Sequence, residues 1–228
     1  ISLRESDEQV ARELFFLTLA SRQNISFETN MTDRQEDFVN YFALLAEREN
    51  RRIERTRKIL ALISRPGTAE AYADSLEILK LYYRISADQS DQSALQELDV
   101  RIGQIPIDLV VAQAAIESGW GSSRFARDAS NFFGEQCFSH ECGLKPLSVN
   151  LNSNVRIRIF DNPAESVASY FRNLNTHAAY SELRQVRRKR LKANENVRAS
   201  NLIPSLIEYA ETGKDYLKLL KTVSSAPL

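Results

Sequence analysis

Glu117 stands where an apolar run ends and a glycine-rich turn begins, in Ile105-Pro-Ile-Asp-Leu-Val-Val-Ala-Gln-Ala-Ala-Ile-Glu117-Ser-Gly-Trp-Gly-Ser122. A carboxyl at the mouth of an apolar helix is partly desolvated. This disfavours its charged form and raises its pKa toward the range in which it donates a proton near neutrality. That is the chemistry of a general acid. A glutamate near a helix end is, taken alone, more often a solvated structural residue, but the flanks change the reading here. Pro106 suits a first helical turn, residues 107–116 are buried-helix material, and Gly119 and Gly121 bracket Trp120 in a turn with unusual backbone freedom. An aromatic beside a carboxyl, both presented by a turn, suits a carbohydrate site.

A second cluster is Cys137-Phe-Ser-His-Glu-Cys142. A disulfide is the favoured reading. A metal site competes because His140 and Glu141 lie between the thiols, yet four ligands within six residues could hardly surround one ion tetrahedrally. Two free buried thiols are the third alternative. A bridge would contribute about 2 kcal/mol on the chain-entropy account and would imply an oxidising compartment.

The string Ala112-Gln-Ala-Ala-Ile-Glu117-Ser-Gly-Trp-Gly-Ser-Ser-Arg-Phe-Ala126, followed by Asn131-Phe-Phe-Gly134, resembles bacterial cell-wall N-acetylglucosaminidases. More narrowly it is similar to their Bax-type branch (glycoside hydrolase family 73). Asn173-Leu-Asn-Thr-His-Ala-Ala-Tyr180, Leu183-Arg184 and Ile207-Glu-Tyr-Ala-Glu-Thr-Gly-Lys-Asp-Tyr216 carry the same resemblance, which runs from about residue 106 to 223. It implies a lysozyme-like, mainly α domain (α+β with a small β-hairpin) that cuts the glycan backbone of peptidoglycan after N-acetylglucosamine. Glu117 takes the family's acid position. Fold alone would not license this, because lysozyme-like folds also host lytic transglycosylases and inactive members.

Glycosidases generally pair the acid with a second carboxylate. The resemblance places that partner on the hairpin after the Asn-x-Phe-Gly motif, and between residues 136 and 160 of the sequence the only carboxylate is Glu141, with Glu135 just outside the window. If no second carboxylate serves, the substrate's own 2-acetamido group can attack, and something must orient it. Tyr209 matches the family's tyrosine in its Tyr-Ala motif and is expected to face the cleft. Trp120 and Phe133 are expected sugar-stacking surfaces, and Asn131 and Tyr216 complete the expected substrate-binding set. No metal or organic cofactor is called for.

These residues need a scaffold. Phe38, Phe42, Leu45, Ile53, Leu60 and Ile63 fall at a loose helical spacing over residues 34–63, Pro66-Gly67 breaks the run, and a second helix is expected over 69–85. Residues 87–93 read as a connection. Ser122 or Ser123 caps a short helix to about Asp128. Val155-Arg-Ile-Arg-Ile159 alternates at period two, the one clear strand, with residues 147–151 as its expected partner. Asn162-Pro163-Ala-Glu165 starts a helix that should reach about Asn175. Thr176 and His177 then read as a capped turn rather than as catalytic groups. Beyond them, Arg184, Arg187, Arg188, Lys189, Arg190 and Lys192 form a basic segment, either a solvated face or a contact with an anionic wall. Residues 1–100 are expected to be a helical extension packed on the catalytic body, with 101–228 as the glucosaminidase domain.

Composition narrows the remaining classes. Thirty basic residues balance thirty acidic ones, so attraction to an anionic partner must come from local patches. From Glu47 to Arg57 charges alternate closely enough to pair on one exposed helix face, so no nucleic-acid partner is expected. No stretch approaches the ~18 apolar residues of a transmembrane helix. The chain begins at Ile1 rather than Met, so a trimmed signal or anchor is expected, with the bacterial periplasm or cell envelope as its place and a monomer as its state.

Overall fold

The computed structural model describes residues 31–67, 70–139, 141–146, 155–209 and 213–225. Two compact units divide between Asp37 and Phe38, within the first described helix, and the contacts discussed below lie in the second. The fold is mainly α, lysozyme-like, with a small three-stranded antiparallel sheet.

Helix α1 (Met31–Ile63) buries Phe42, Leu45, Ala46, Ile53, Leu60 and Ile63, a stripe set by the helical repeat. Its solvent side carries the pairs Arg51–Glu47 and Lys58–Glu54, one turn apart as the alternating charges predict. Asn50 does more than decorate this helix. Its amide nitrogen donates to the Ile105 carbonyl at 2.7 Å and its oxygen accepts from the Ile105 N–H at 2.9 Å. The N-terminal helix thus fixes the chain where α4, the helix carrying Glu117, begins.

The second helix is shorter than its periodicity predicts. A 3-10 turn over Glu70–Tyr72 precedes α2 (Ala73–Tyr82), and Arg84 then adopts the left-handed region with φ 56°. The Ile85 N–H reaches back to the Lys80 carbonyl at 2.8 Å and the Arg84 N–H to that of Leu81 at 3.2 Å. This Schellman closure stops the helix before its apolar pattern runs out. Ser90 then caps α3 (Asp91–Arg101) by accepting from the Ser93 N–H, so the expected connection over 87–93 is partly helix.

Helix α4 (Ile107–Ser118) is buried almost all round, as its unbroken apolar run requires, and packs against α9 (Lys214–Ser224). Pro106 is its N-cap rather than a first-turn residue. Helix α5 (Arg124–Ala129) is capped by Ser123. Three short strands follow, β1 (Gln136–Cys137), β2 (Gly143–Leu144) and β3 (Arg156–Arg158), in the order β1-β3-β2. The expected strand is therefore central, with Ile157 opposite Gln136 on one side and Leu144 on the other. The partner foreseen at 147–151 lies outside the described residues. Cys137 and Cys142 form a disulfide that closes the turn between β1 and β2.

Asn162 caps α6 (Pro163–Thr176) by accepting from the Glu165 N–H at 3.1 Å, while the Glu165 carboxylate accepts from the Asp161 N–H. Helix α7 (Ser181–Lys192) overturns the picture of a uniformly basic outer face. Arg184 and Arg187 are only 4% and 2% exposed. Arg184 donates to the carbonyls of Leu174 and His177, and Arg187 to those of Val100, Arg101, Gly103 and Gln104. A guanidinium has enough donors to satisfy frayed carbonyls, at the end of α6 for Arg184 and at the end of α3 for Arg187, which is why these two point inward. Gly103 permits the approach: a Cβ there would lie 2.1 Å from the Arg187 guanidinium carbon. Arg188 and Arg190 pair with Asp99 and Glu195. The short helix α8 (Ala199–Leu202) and a 3-10 turn (Ile203–Leu206) lead back toward α9.

Candidate active site

Glu117 occupies the last turn of α4, half-buried, and lines a groove of about 920 Å³. The turn that presents it is built by its neighbour. The Ser118 hydroxyl donates to the Ala114 carbonyl and accepts from the Gly121 N–H at 2.8 Å, and Ser118 is fully buried. Gly119, Trp120 and Gly121 all have positive φ, at 57°, 56° and 74°. Glycine carries such a conformation freely at the first and third positions, and Trp120 is held there by its N–H bond to the Ala115 carbonyl at 2.9 Å. This abrupt reversal leaves the carboxyl at the groove instead of under further helix.

Burial pushes the Glu117 carboxyl above the ordinary carboxylate range, and a hydrogen bond from the Tyr216 hydroxyl pulls the other way. Behind that hydroxyl stands a directed chain. Tyr170 donates to the Gln113 carbonyl oxygen, and the Gln113 amide donates to the Tyr216 oxygen at 2.7 Å. Gln113 has no exposed surface, and Tyr216 is 6% exposed. Burial, the Glu117 charge and the bond to Glu117 raise the Tyr216 pKa, so it stays a phenol and a donor. The sequence held one signal for this network. Gln113 is a lone amide in an apolar run, one helical turn before Glu117 and on the same face.

The remaining expected residues divide between groove and scaffold. Phe133 and Tyr209 line the groove, with Phe133 stacked on Tyr170 at 4.1 Å between ring centres. The Tyr209 hydroxyl donates to the Phe133 carbonyl at 3.2 Å, and its ring stacks on Tyr216 at 5.7 Å. Trp120 is not among the lining residues. It packs edge-on against Phe38 of α1, 5.6 Å between centres, and so ties the turn to that helix. Asn131 is 2% exposed and has no amide group left for a sugar. Its nitrogen donates to the carbonyls of Glu135 and Arg158, and its oxygen accepts from the Glu135 N–H. It is the clamp between β3 and the segment after Gly134.

Glu141 is exposed in the bridged turn and does not line the groove, because β1 and the disulfide carry that residue past the strand end. The carboxylates that do line it, besides Glu117, are Glu135 and Glu165. Glu165 serves its helix cap. Glu135 is held by Arg158 at 2.7 Å, and its neighbour Gly134 lies next to the acid: a Cβ on Gly134 would sit 3.8 Å from a Glu117 carboxyl oxygen. His177 lines the groove but uses its Nδ1 to accept from the Ala179 N–H, in keeping with a capped turn. His140 lies outside the described residues. Among the described residues no group of three or more His, Cys, Asp or Glu side chains could hold a metal ion.

The family described as mannosyl-glycoprotein endo-beta-N-acetylglucosaminidase matches residues 92–225, more than half of the chain. The chain belongs to this glucosaminidase family. Among curated proteins, protein bax of Escherichia coli (strain K12) is 40% identical over 116 residues, 51% of this chain and 40% of that protein. The chain thus spans well under two thirds of that relative's length. No solved structure matches it. The glucosaminidase match takes in Glu117, the sheet, the groove-lining helix α6 and α9; α1 and α2 precede it.

Proposed function

We propose that this glucosaminidase-family chain is a glycoside hydrolase that cleaves the glycan backbone of peptidoglycan after N-acetylglucosamine. The observation that carries the reading is one half-buried carboxyl, raised in pKa by burial, at a groove large enough for a glycan. Glu117 protonates the glycosidic oxygen. Its bond to Tyr216 aims the carboxyl and moderates the burial effect, so the group holds a proton without being locked neutral.

Glu135 takes the place foreseen for Glu141. It is a carboxylate already in the groove and anchored by Arg158, suited to stabilise a cationic sugar or to activate water. Tyr209 stands where it can meet a sugar's acetamido group. Its proton is engaged with Phe133, which leaves its oxygen free to accept from an amide N–H. Phe133 supplies a ring wall.

The helices before residue 101 we read as a packed extension of the catalytic body, since Asn50 clamps the start of α4. The disulfide suits an oxidising compartment, and a periplasmic or envelope location follows for a wall hydrolase. Among the described residues no helix is long and apolar enough to cross a membrane.

The test is digestion of intact sacculi by the purified protein and by Glu117→Gln, with fragments read by mass spectrometry. Reducing-end N-acetylglucosamine products that vanish in the variant are expected. Equal digestion by both proteins overturns the assignment of the acid. Anhydro-muramic products would reassign the chain as a lytic transglycosylase. Sedimentation with the wall and no release of fragments would make it a binding module.

A further inference from the structure

The groove holds charge that bond cleavage does not use. Three arginines line it, Arg84, Arg158 and Arg172. Arg158 is neutralised by Glu135. Nearby arginines of the scaffold are matched in the same way: Arg52 by Glu49, Arg101 by Glu97, and Arg57 by Asp99. Arg84 and Arg172 differ. Among the described residues Arg84 has no side-chain hydrogen bond or ion pair, and Arg172 spends only its Nε, on the Tyr82 carbonyl at 3.2 Å. The terminal nitrogens of Arg172 have no partner among the described residues, though its guanidinium carbon lies 5.0 Å from the centre of the Tyr82 ring.

Arg84 sits on a rigid corner. Arg84 holds its left-handed backbone because the Schellman closure of α2 fixes it from one side. From the other, the Arg101 guanidinium donates to the carbonyls of Tyr83 and Arg84 at 2.6 and 3.1 Å. The Tyr82 hydroxyl accepts from Arg52 at 2.8 Å, and its ring also lines the groove. Arg172 projects from α6 two turns beyond Glu165, about 10 Å along the helix at 1.5 Å per residue. An incoming anion would give these guanidinium groups the partner they lack. Neutral sugars have no such charge to offer. In a peptide-bearing glycan, the carboxylates belong to the peptide branches.

We propose that Arg84 and Arg172, with the Tyr82 ring that Arg172 lies against, form an anion subsite that takes a carboxylate of the peptide branch on the glycan being cleaved. The proposal rests on the glycosidase reading above and adds a substrate preference to it. The corner that supplies Tyr82 and Arg84 precedes the family match at residue 92, so this preference is a property of the chain's own N-terminal extension. Planar guanidinium groups recognise carboxylates in a two-pronged manner that an ammonium does not reproduce.

The experiment measures binding in the Glu117→Gln background, which separates recognition from catalysis. Three ligands are compared: peptide-bearing glycan strands, the same strands stripped of peptide, and peptide-bearing strands with amidated carboxylates. The parent is expected to prefer free carboxylates about tenfold over both other ligands. Arg84→Asn combined with Arg172→Gln should erase that ratio. Asn tolerates the positive φ at position 84, and circular dichroism checks that the fold is kept. Equal affinity of the parent for all three ligands overturns the subsite, and so does a ratio that survives the double variant. If that ratio is found while the chain with Glu117 intact cleaves no strand, the subsite stands and the glycosidase reading falls.

Discussion

Glu117 and Arg187 are both ionisable groups taken out of water, and they teach opposite lessons. Burial pulls the Arg187 guanidinium down to about 9, helped by the nearby Arg184 and Arg57 charges, so it is still a cation at neutral pH. Its donors meet four backbone carbonyls at the end of α3, and it closes the structure there. Glu117 is likewise shifted by burial, but it has one hydrogen bond and a groove on its open side. A perturbed ionisation alone does not mark a site. What marks it is unspent hydrogen-bonding capacity facing space that a ligand can fill.

The largest effect should come from Glu117→Gln, which keeps shape and removes the transferable proton. Glycan cleavage is expected to fall about 10²- to 10⁴-fold, with an unchanged circular dichroism spectrum. Arg187→Met should break the contrast from the other side. Orphaning several carbonyls is expected to lower unfolding stability by about 3 kcal/mol in a denaturant titration, while the activity of the folded fraction is kept. A loss of turnover without loss of stability would mean that Arg187 belongs to the site after all.

Tyr216→Phe sharpens the comparison at the acid. The bond from Tyr216 favours the ionised carboxyl, so its removal lets burial act alone and the Glu117 pKa rises further. The basic limb of the pH–rate profile, where activity fades as the acid loses its proton, should move to higher pH. A downward move would contradict the assigned direction of that hydrogen bond. The smallest effect is on stability. Because the folded state binds the Glu117 proton more tightly than the unfolded chain, folding weakens as pH rises from the ordinary carboxylate range through the elevated pKa. Glu117→Gln lacks that penalty and should melt about 2 °C higher than the parent at pH 7, with no gain at pH 3.

Much of the site was visible in local chemistry. The abrupt change from apolar helix to glycine turn marked Glu117, because a carboxyl at such a boundary is both half-buried and accessible. The Asn162 to Glu165 start, the Ser123 cap and the period-two strand were equally legible, since each rests on bonds between near neighbours. The surroundings of Asn131, Trp120 and Glu141 were not legible, for a common reason. Each is of a residue type that suits sugar recognition or catalysis, yet what it touches is decided by distant chain: β3 for Asn131, α1 for Trp120, the bridged turn for Glu141. The basic segment on α7 followed the same rule, because helical spacing could not tell that the end of α3 would supply carbonyls for Arg187.

By itself the sequence singled out Glu117 and determined the helical class and the family resemblance, because these depend on residue types in fixed order and on contacts one or two turns apart. Only the tertiary structure decided the chain Tyr170–Gln113–Tyr216 beside Glu117, the placing of Glu135 rather than Glu141 along the groove, and that of Arg84 and Arg172 in the same lining. Those pairings join residues tens of positions apart. Local propensity carries no information about them, and they exist only once helices from both ends of the chain are packed around α4.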